Sequence, residues 1–371
     1  MKARGAVLFQ PGTPLQVCEV DVAPPRAGEA LVRMAAAGVC HTDLHVMQGK
    51  FSAPLPAVLG HEGAGVVAEV GPGVTSLRAG DHVVPLWRLS CGGCEYCRRG
   101  KPALCVEGTR IRNTGRLVDG TSRLSYRGRE VYHYAGVSTV CEYSVVPEAA
   151  LLALDKAVPL DRAALLGCAV VTGVGAVTHA ARVKRGDTVA VFGAGGVGLN
   201  VIQGAAAAGA KTIVAVDVRA PKLELARTFG ATSVVDATGG HVVETIRNLT
   251  DGRGVDFAFD AVGSPETARR AFDVLARTGK LVALGISRES VSLPLGPLVF
   301  EERQVVGSFY GSGRPREDIP ALAAMYRQGK LRLDELLTRR YPLERINEAY
   351  AALEQGEVAR SVVVFDGAGL A

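Results

Sequence analysis

Aromatic residues are scarce in this sequence: Phe, Tyr and Trp occupy 5% of its 371 positions, with a single Trp. That scarcity argues against the stacking platforms on which single-stranded nucleic acids are held. Charge of either sign is also nearly balanced. Forty-two Lys and Arg oppose 37 Asp and Glu, and the resulting +5 is too weak a field over this length to draw a polyanion. The 45 glycines follow no period of three, which excludes a collagen-like chain. An apolar share of 48% with 21% charged residues excludes disorder and allows a sizeable core. Two uncharged or nearly uncharged stretches, 163–181 and 188–210, reach the length of a membrane span. The second contains GAGGVG and the first is rich in Gly, Thr and Ala, so both read as buried core. The opening MKARGAVLFQPGTP lacks the apolar centre of a signal peptide. No nucleic acid and no membrane partner is expected, and the location expected is cytoplasmic.

The length suits two domains. Residues 1–150 carry short β-rich runs broken by Gly and Pro (EALVRMAAAGVC, GAGVVAEVGPGV, GDHVVPLW), which predict a compact antiparallel, barrel-like domain. From about 170 to 310 the rhythm changes to strand, turn, helix. Strands are expected at 188–193, 212–217, 232–236, 255–260, 280–285 and 304–308. Ser264-Pro265-Glu266 supplies an N-cap, a first-turn Pro and an acid, and Gly279 is expected to end that helix. Pro221 and Gly230 bracket another. Six strands alternating with helices predict a parallel, doubly wound sheet. Beyond 310 the chain turns charged and helical and closes on the apolar run SVVVF, which is assigned to the first domain.

Eight cysteines are present, and their spacing carries more information than their number. Cys91, Cys94, Cys97 and Cys105 form C-x2-C-x2-C-x7-C, a set of thiolates able to enclose one tetrahedral Zn²⁺ as a closed structural site. An iron–sulfur cluster also takes four cysteines, but its common runs are spaced differently. Cys40 in GVCHTD, His61 in GHEGAG and Cys168 in GCAVVTG have the donor types of a zinc site with one open position. No spacing rule connects these three, and each alone also reads as a core residue. Cys18 and Cys141 read as plain core thiols.

Gly193-Ala194-Gly195-Gly196-Val197-Gly198 follows an apolar strand and opens an apolar helix, and Asp217 ends the next strand. Together these are a dinucleotide site: a tight turn, pyrophosphate at a helix N-terminus, and a carboxylate for the ribose hydroxyls.

Taken in order, GVCHTDLH, GHEGAGVV, the four-cysteine lobe, DGTSR, GCAVVTG and GAGGVG resemble the zinc-dependent alcohol dehydrogenases of the medium-chain dehydrogenase/reductase superfamily. The resemblance spans nearly the whole chain. It implies an α/β protein with a GroES-like β-rich catalytic domain over 1–169 and 311–371, bearing a zinc lobe at about 88–108. A Rossmann NAD-binding domain over 170–310 lies between the two segments. It also joins Cys40, His61 and Cys168 as the catalytic zinc ligands, giving two zinc ions per chain. Asp43 is then the carboxylate that orients the histidine, and Glu62 a carboxylate close behind the metal.

Other roles carry over by the same resemblance. Thr42 contacts the alcohol, and His45 ends its proton relay. His41 and Arg360 lie near the cofactor pyrophosphate, and Lys222 near the adenosine ribose. Thr172 and Val197 press on the nicotinamide. The pocket beyond the metal is lined by Trp87, Tyr134, Val262 and Ile286, with Phe51 at its rim; Val262 and Ile286 also border the cofactor. The implied reaction is reversible hydride transfer between a primary alcohol, aromatic or medium-chain, and NAD. A thiol-adduct (formaldehyde-type) dehydrogenase is the alternative, although the position of that group's substrate arginine is Thr109 here, with Arg110 one place away. The 105–135 segment resembles that of dimeric members, so a homodimer is expected and a tetramer is possible. Two further readings compete. A zinc-free reductase would have little use for the ligand set, and a zinc-ribbon binding module, suggested by six arginines between 110 and 129, would need no dinucleotide site.

Overall fold

The computed structural model describes residues 1–366 and shows two compact units. One comprises Met1–Cys168, Arg314–Gly329 and the chain from Leu333 onward; the other comprises Ala169–Gly313 and Lys330–Arg332. Residues 367–371, the end of the segment 311–371 assigned above to the catalytic domain, lie outside the described residues.

The first unit is built on β-structure. Strands Lys2–Leu8, Gln16–Val22, Leu124–Tyr126, Arg129–His133 and Ala57–Val58 close into a barrel in that order. A seven-stranded sheet adjoins them, with Glu29–Gly38 at its centre. That strand pairs with Gly63–Val70, Tyr143–Pro147 and Arg360–Val364 along different parts of its length. Its sequence, EALVRMAAAG, is almost wholly buried because neighbours cover both edges and both faces. The small residues at its end matter to the site. A Cβ at Gly38 would meet the side chain of Glu62 at 2.5 Å, so glycine leaves the space that this carboxyl occupies.

The second unit is a six-stranded parallel sheet ordered Ser233–Asp236, Thr212–Asp217, Thr188–Phe192, Val255–Asp260, Leu275–Ala283, Gln304–Gly307. This 3-2-1-4-5-6 order is the doubly wound arrangement, which places its ligand crevice where the order reverses, between the first and fourth strands. Each expected strand is present, but one boundary differs. The helix starting after Ser264 has the anticipated cap, with Ser264 Oγ accepting from the Thr267 N–H, yet it ends at Asp273, well before Gly279. Leu275–Ala283 is instead strand throughout, and Gly279 lies within it. The apolar Leu275 and Ala276 are fully buried beside Val255, and a register shift follows, with Thr278 at a φ of 61°. Burial against the sheet outweighs the local stop signal at Gly279.

The stretch 163–181 belongs to a helix, Leu160–Ala181, long and apolar enough to cross a membrane but mostly buried within the protein. The stretch 188–210 is strand, glycine turn and helix.

Candidate active site

Cys40, His61 and Cys168 come from three separate elements of the first unit. Cys40 follows the central strand and precedes the helix His41–Met47. His61 leads into the strand Gly63–Val70. Cys168 lies in a π-helical stretch, Leu166–Val170, of the long helix, the kind of local widening often found at functional positions. Their donor atoms all lie within 4.8 Å of one another, and all three residues are buried. His61 Nε2 is 3.3 Å from Cys168 Sγ, while Nδ1 faces Asp43 at 3.1 Å. Asp43 is wholly buried and accepts a further hydrogen bond from the Gly60 N–H at 3.2 Å.

The electrostatics of this group call for a cation. Hydrogen bonding between Cys40 and Cys168 drives the first thiol well below its ordinary range and the second well above it, since two buried thiolates side by side cannot both be charged unaided. Burial pushes Glu62 up to about 7. Neither of its carboxylate oxygens has a hydrogen-bond partner among the described residues, and the Arg360 guanidinium stands 3.7 Å away. Two sulfurs and one imidazole with an orienting carboxylate behind it fit a Zn²⁺ that keeps an open fourth position.

Around this centre, Thr42 Oγ1 lies 3.8 Å from Cys40 Sγ, and His45 sits one turn further along the same helix. His45 packs edge-on against Phe51 at 5.0 Å and lies 6.4 Å from the exposed His41 ring. Burial lowers the His45 pKa, and the charge of Lys50 lowers it further. Trp87 and Tyr134 stand edge-on to the His61 ring at 5.6 and 5.9 Å, forming an aromatic wall. Arg360, on the strand Arg360–Val364, is buried and donates from Nη1 to the Val39 carbonyl at 3.0 Å.

The four lobe cysteines also converge, with donor atoms within 4.8 Å of one another. The N–H of Cys91 points to Cys105 Sγ at 3.3 Å and that of Cys94 to Cys91 Sγ at 3.4 Å. Such bonds stabilise thiolates, and hydrogen bonds led by the Val106 N–H lower Cys94 to about 6. Four sulfurs arranged this way fit a closed tetrahedral zinc site. Cys18 and Cys141 stand apart as free thiols, and burial pushes Cys141 up to about 12.

In the second unit, the glycine turn sits at the carboxyl end of Thr188–Phe192. Gly193 has a φ of +92°, and a Cβ on Gly198 would overlap its carbonyl oxygen, so the turn and the start of the helix Gly196–Ala207 are held tightly together. Asp217 Oδ2 accepts the Ala194 N–H at 2.8 Å and Oδ1 the Arg219 N–H at 3.0 Å, which joins the acid to the glycine loop. Val262 crowds Gly193, the Val262–Gly263 turn abuts Gly285 and Ile286, and both apolar side chains are half exposed. They therefore gather at the switch point of the sheet. Val197 lies in the first turn of the glycine-led helix, whose Val197 and Asn200 pack against Gly173, the neighbour of Thr172. Lys222 is half-buried in the helix Ala220–Thr228.

Two residues near the first site had not been singled out. Arg88 is buried and donates to the carbonyls of Ala103 and Gly108 and, at 2.7 Å, to Thr109 Oγ1. Its signal was an arginine set among apolar residues in VVPLWRLS. Tyr350 is buried in the helix Ile346–Glu354 with a hydroxyl that has no partner among the described residues. No local pattern marked it.

Comparison with known proteins agrees with this geometry. Residues 26–159 match the family of alcohol dehydrogenase GroES-like domains, and residues 196–328 match that of zinc-binding dehydrogenases. An S-(hydroxymethyl)glutathione dehydrogenase of Synechocystis sp. is 42% identical over 98% of this chain and 100% of its own length. Among solved structures, an alcohol dehydrogenase zinc-binding domain protein from Burkholderia ambifaria superimposes with a TM-score of 0.94 at 35% identity, covering 98% of this chain and 99% of the other. Benzyl alcohol dehydrogenase from Acinetobacter calcoaceticus gives a TM-score of 0.93 at 33% identity, with the same coverage. The donor sets, the doubly wound sheet and these full-length likenesses lead to one conclusion: the chain belongs to the zinc-dependent alcohol dehydrogenases of the medium-chain dehydrogenase/reductase superfamily, oxidoreductases that act on CH–OH groups with zinc and a nicotinamide cofactor.

Proposed function

We propose that this enzyme interconverts a primary aromatic or medium-chain alcohol and its aldehyde, using NAD. The observation that carries the reading is the aromatic wall of Trp87 and Tyr134 on the imidazole of His61, which offers apolar area worth about 25 cal/mol per Å² buried. In this reading residues 1–169 and 311–371 act as the catalytic domain and 170–310 as the NAD-binding domain.

When bound by Cys40, His61 and Cys168, the metal supplies Lewis acidity toward the alcohol oxygen. The chain's own residues do the rest. Asp43 holds the His61 ring in one orientation through Nδ1. The hydroxyl of Thr42, next to Cys40, accepts the alcohol proton. His45 takes it on toward solvent, and its lowered pKa keeps it neutral and able to accept. Glu62, backed by Arg360, keeps carboxylate oxygens in reserve behind the ligands. In the second unit the Gly193–Gly198 turn receives pyrophosphate and Asp217 the ribose hydroxyls, with Lys222 beside them. Thr172, Val197, Val262 and Ile286 border the nicotinamide, and the family resemblance assigns His41 and Arg360 to the pyrophosphate.

A second reading, oxidation of a hydroxymethyl-thiol adduct, draws on the Synechocystis relative. The contacts of the nearest polar groups favour the first. Thr109 is engaged by Arg88, and Arg110 is held by Glu107 and the Val118 carbonyl.

A homodimer is part of the proposal. Gln304–Gly307 is an edge strand, and Leu295, Val299, Phe300 and Val305 beside it are exposed, a combination that unpaired sheets otherwise avoid. The eight free cysteines suit the reducing cytoplasm, where we place the enzyme. The direct test is steady-state assay of benzyl alcohol, hexanol, ethanol and S-(hydroxymethyl)glutathione with NAD and with NADP. A preference above tenfold for the adduct would replace the first reading with the second.

A further inference from the structure

The first unit has a second concavity, which shares no residue with the Cys40–His61–Cys168 centre. A pocket of about 280 Å³ lies between the zinc lobe and the start of the helix Pro315–Arg327. Four arginines line it, Arg88 and Arg98 from the lobe side and Arg314 and Arg316 from the helix side. Glu317 is the one acid among the described lining residues. The helix presents its N-terminal end here, the positive end of its dipole.

Three of these guanidiniums are held by backbone carbonyls. Arg98 donates from Nη1 to the Gly93 carbonyl, and Arg88 donates to those of Ala103 and Gly108. Arg316 donates from Nη2 to the carbonyls of Ala149 and Glu148 at 2.6 and 3.2 Å. The Glu148 carboxylate itself is turned away, accepting from the N–H groups of Thr75 and Ser76 and from the Ser76 hydroxyl. A carbonyl fixes the orientation of a guanidinium but brings no net charge to cancel it. Arg314 does meet an acid, with Nη1 3.4 Å from Glu317 Oε1, but both side chains are largely exposed and such a pair contributes little. Its Nη2 lies against Gly100 of the lobe, 3.1 Å from where a Cβ would sit. Burial lowers the Arg316 pKa, and Glu148 offsets only part of that, as expected for a cation set into a hollow without a full counter-charge. Cys97 also lines the pocket, and four thiolates exceed the charge of one Zn²⁺ by two. The four guanidiniums still outnumber the charges of that centre and Glu317 together.

We infer that this pocket binds a phosphate-type oxyanion, which bridges the lobe and the helix through Arg98, Arg314 and Arg316. The ion is either free inorganic phosphate or the phosphoryl group of a small phosphomonoester. Guanidinium forks match the paired oxygens of such a group, and the cavity has room for one at its centre. The inference is independent of which alcohol the enzyme oxidises.

The test is a calorimetric titration of the zinc-loaded enzyme, saturated with NAD so that the glycine turn is filled. Inorganic phosphate and glycerol 3-phosphate are titrated at constant ionic strength, with chloride as the reference ion. One site per chain is expected for at least one of the two, and the tighter ligand identifies the source of the group. Affinity should fall tenfold or more in Arg316→Gln and in Arg314→Gln, and stay within twofold in Arg129→Gln, whose exposed side chain lies outside the pocket. It should rise at least threefold in Glu317→Gln, which removes the acid and keeps the size of the side chain. Damage to the fold would not produce that gain. No saturable binding of either ligand, or no tightening in Glu317→Gln, would overturn the site. Affinity within twofold of the unaltered enzyme in Arg316→Gln would overturn it too, leaving an adventitious ion only.

Discussion

Asp43 and His61 are joined inside the protein, with Nδ1 3.1 Å from Oδ1 and 3.0 Å from Oδ2, and both side chains are almost completely withdrawn from solvent. The pairing fixes which ring nitrogen is free to meet a metal. Carboxylates in this position typically contribute 10–100-fold to metal affinity or activity. Asp43→Asn should therefore release the catalytic zinc to a chelator about ten times more readily, with the lobe zinc retained. Unchanged release would reduce Asp43 to a packing role.

Metal content separates the two donor sets. Elemental analysis should find close to two zinc per chain. Cys168→Ser should lose one zinc and the activity while keeping the fold. Cys97→Ser should lose the other and lower thermal stability, because a structural site contributes folding energy outright. One zinc in fully active enzyme would contradict the two-site assignment.

Cofactor choice should turn on Asp217, which accepts the Ala194 N–H of the glycine turn. A 2′-phosphate beside its carboxylate meets repulsion of roughly 4 kcal/mol per unit charge pair at about 4 Å and an effective dielectric of about 20. NAD should thus be preferred by more than tenfold, and Asp217→Ser should narrow the gap mainly by improving NADP. Equal efficiency with both cofactors in the unaltered enzyme would count against this role.

The relay role proposed for His45 predicts a pH dependence. Burial, then Lys50, holds its pKa below the usual 6.5, so the neutral base is present at and above neutrality and protonated only in acid. Alcohol oxidation should fall as pH drops through that lowered value. In His45→Gln the rate should be depressed most near neutral pH and approach the parent's at high pH, where hydroxide replaces the base. Superimposable pH profiles would leave His45 a structural residue.

His133 predicts acid sensitivity apart from catalysis. Burial, with the charge of Arg123, lowers it to about 3, and its Nε2 accepts the Arg123 N–H at 3.2 Å. The unfolded chain gains a proton near 6.5 while the folded one stays neutral down to about 3, so this group lowers stability as pH falls through that window. The slope reaches about 1.4 kcal/mol per pH unit only once the unfolded histidine is fully protonated, so lowering the pH from 6.5 to 5.5 should cost about 1 kcal/mol. Denaturant titrations of His133→Gln should show a correspondingly flatter acid limb, and equal limbs would refute the assignment.

Local chemistry was legible where few residues must cooperate. Four cysteines within fifteen positions are held near one another by the chain itself, and GAGGVG between an apolar strand and an apolar helix needs only its own turn to work. The cap at Ser264 was legible for the same reason, because it involves four consecutive residues. Gly279 misled because its stop signal is local, whereas the strand Leu275–Ala283 is held by burial beside Val255–Asp260.

The sequence by itself determined the donor types, the glycine turn with its acid, and the alternation that makes a parallel sheet. These depend on covalent spacing and on the periods of strand and helix. Only the tertiary structure decided that Cys40, His61 and Cys168 share one buried point, since that takes a strand end, a loop and a widened helix turn from distant parts of the chain. It alone also decided which arginines are already spent. Arg88 reaches Thr109, Arg110 turns to Glu107, Arg123 is buried on Glu29, and Arg112 is left without an acceptor among the described residues. A guanidinium's partner depends on which carboxylate or carbonyl folding brings within about 3 Å, and no spacing along the chain encodes that distance.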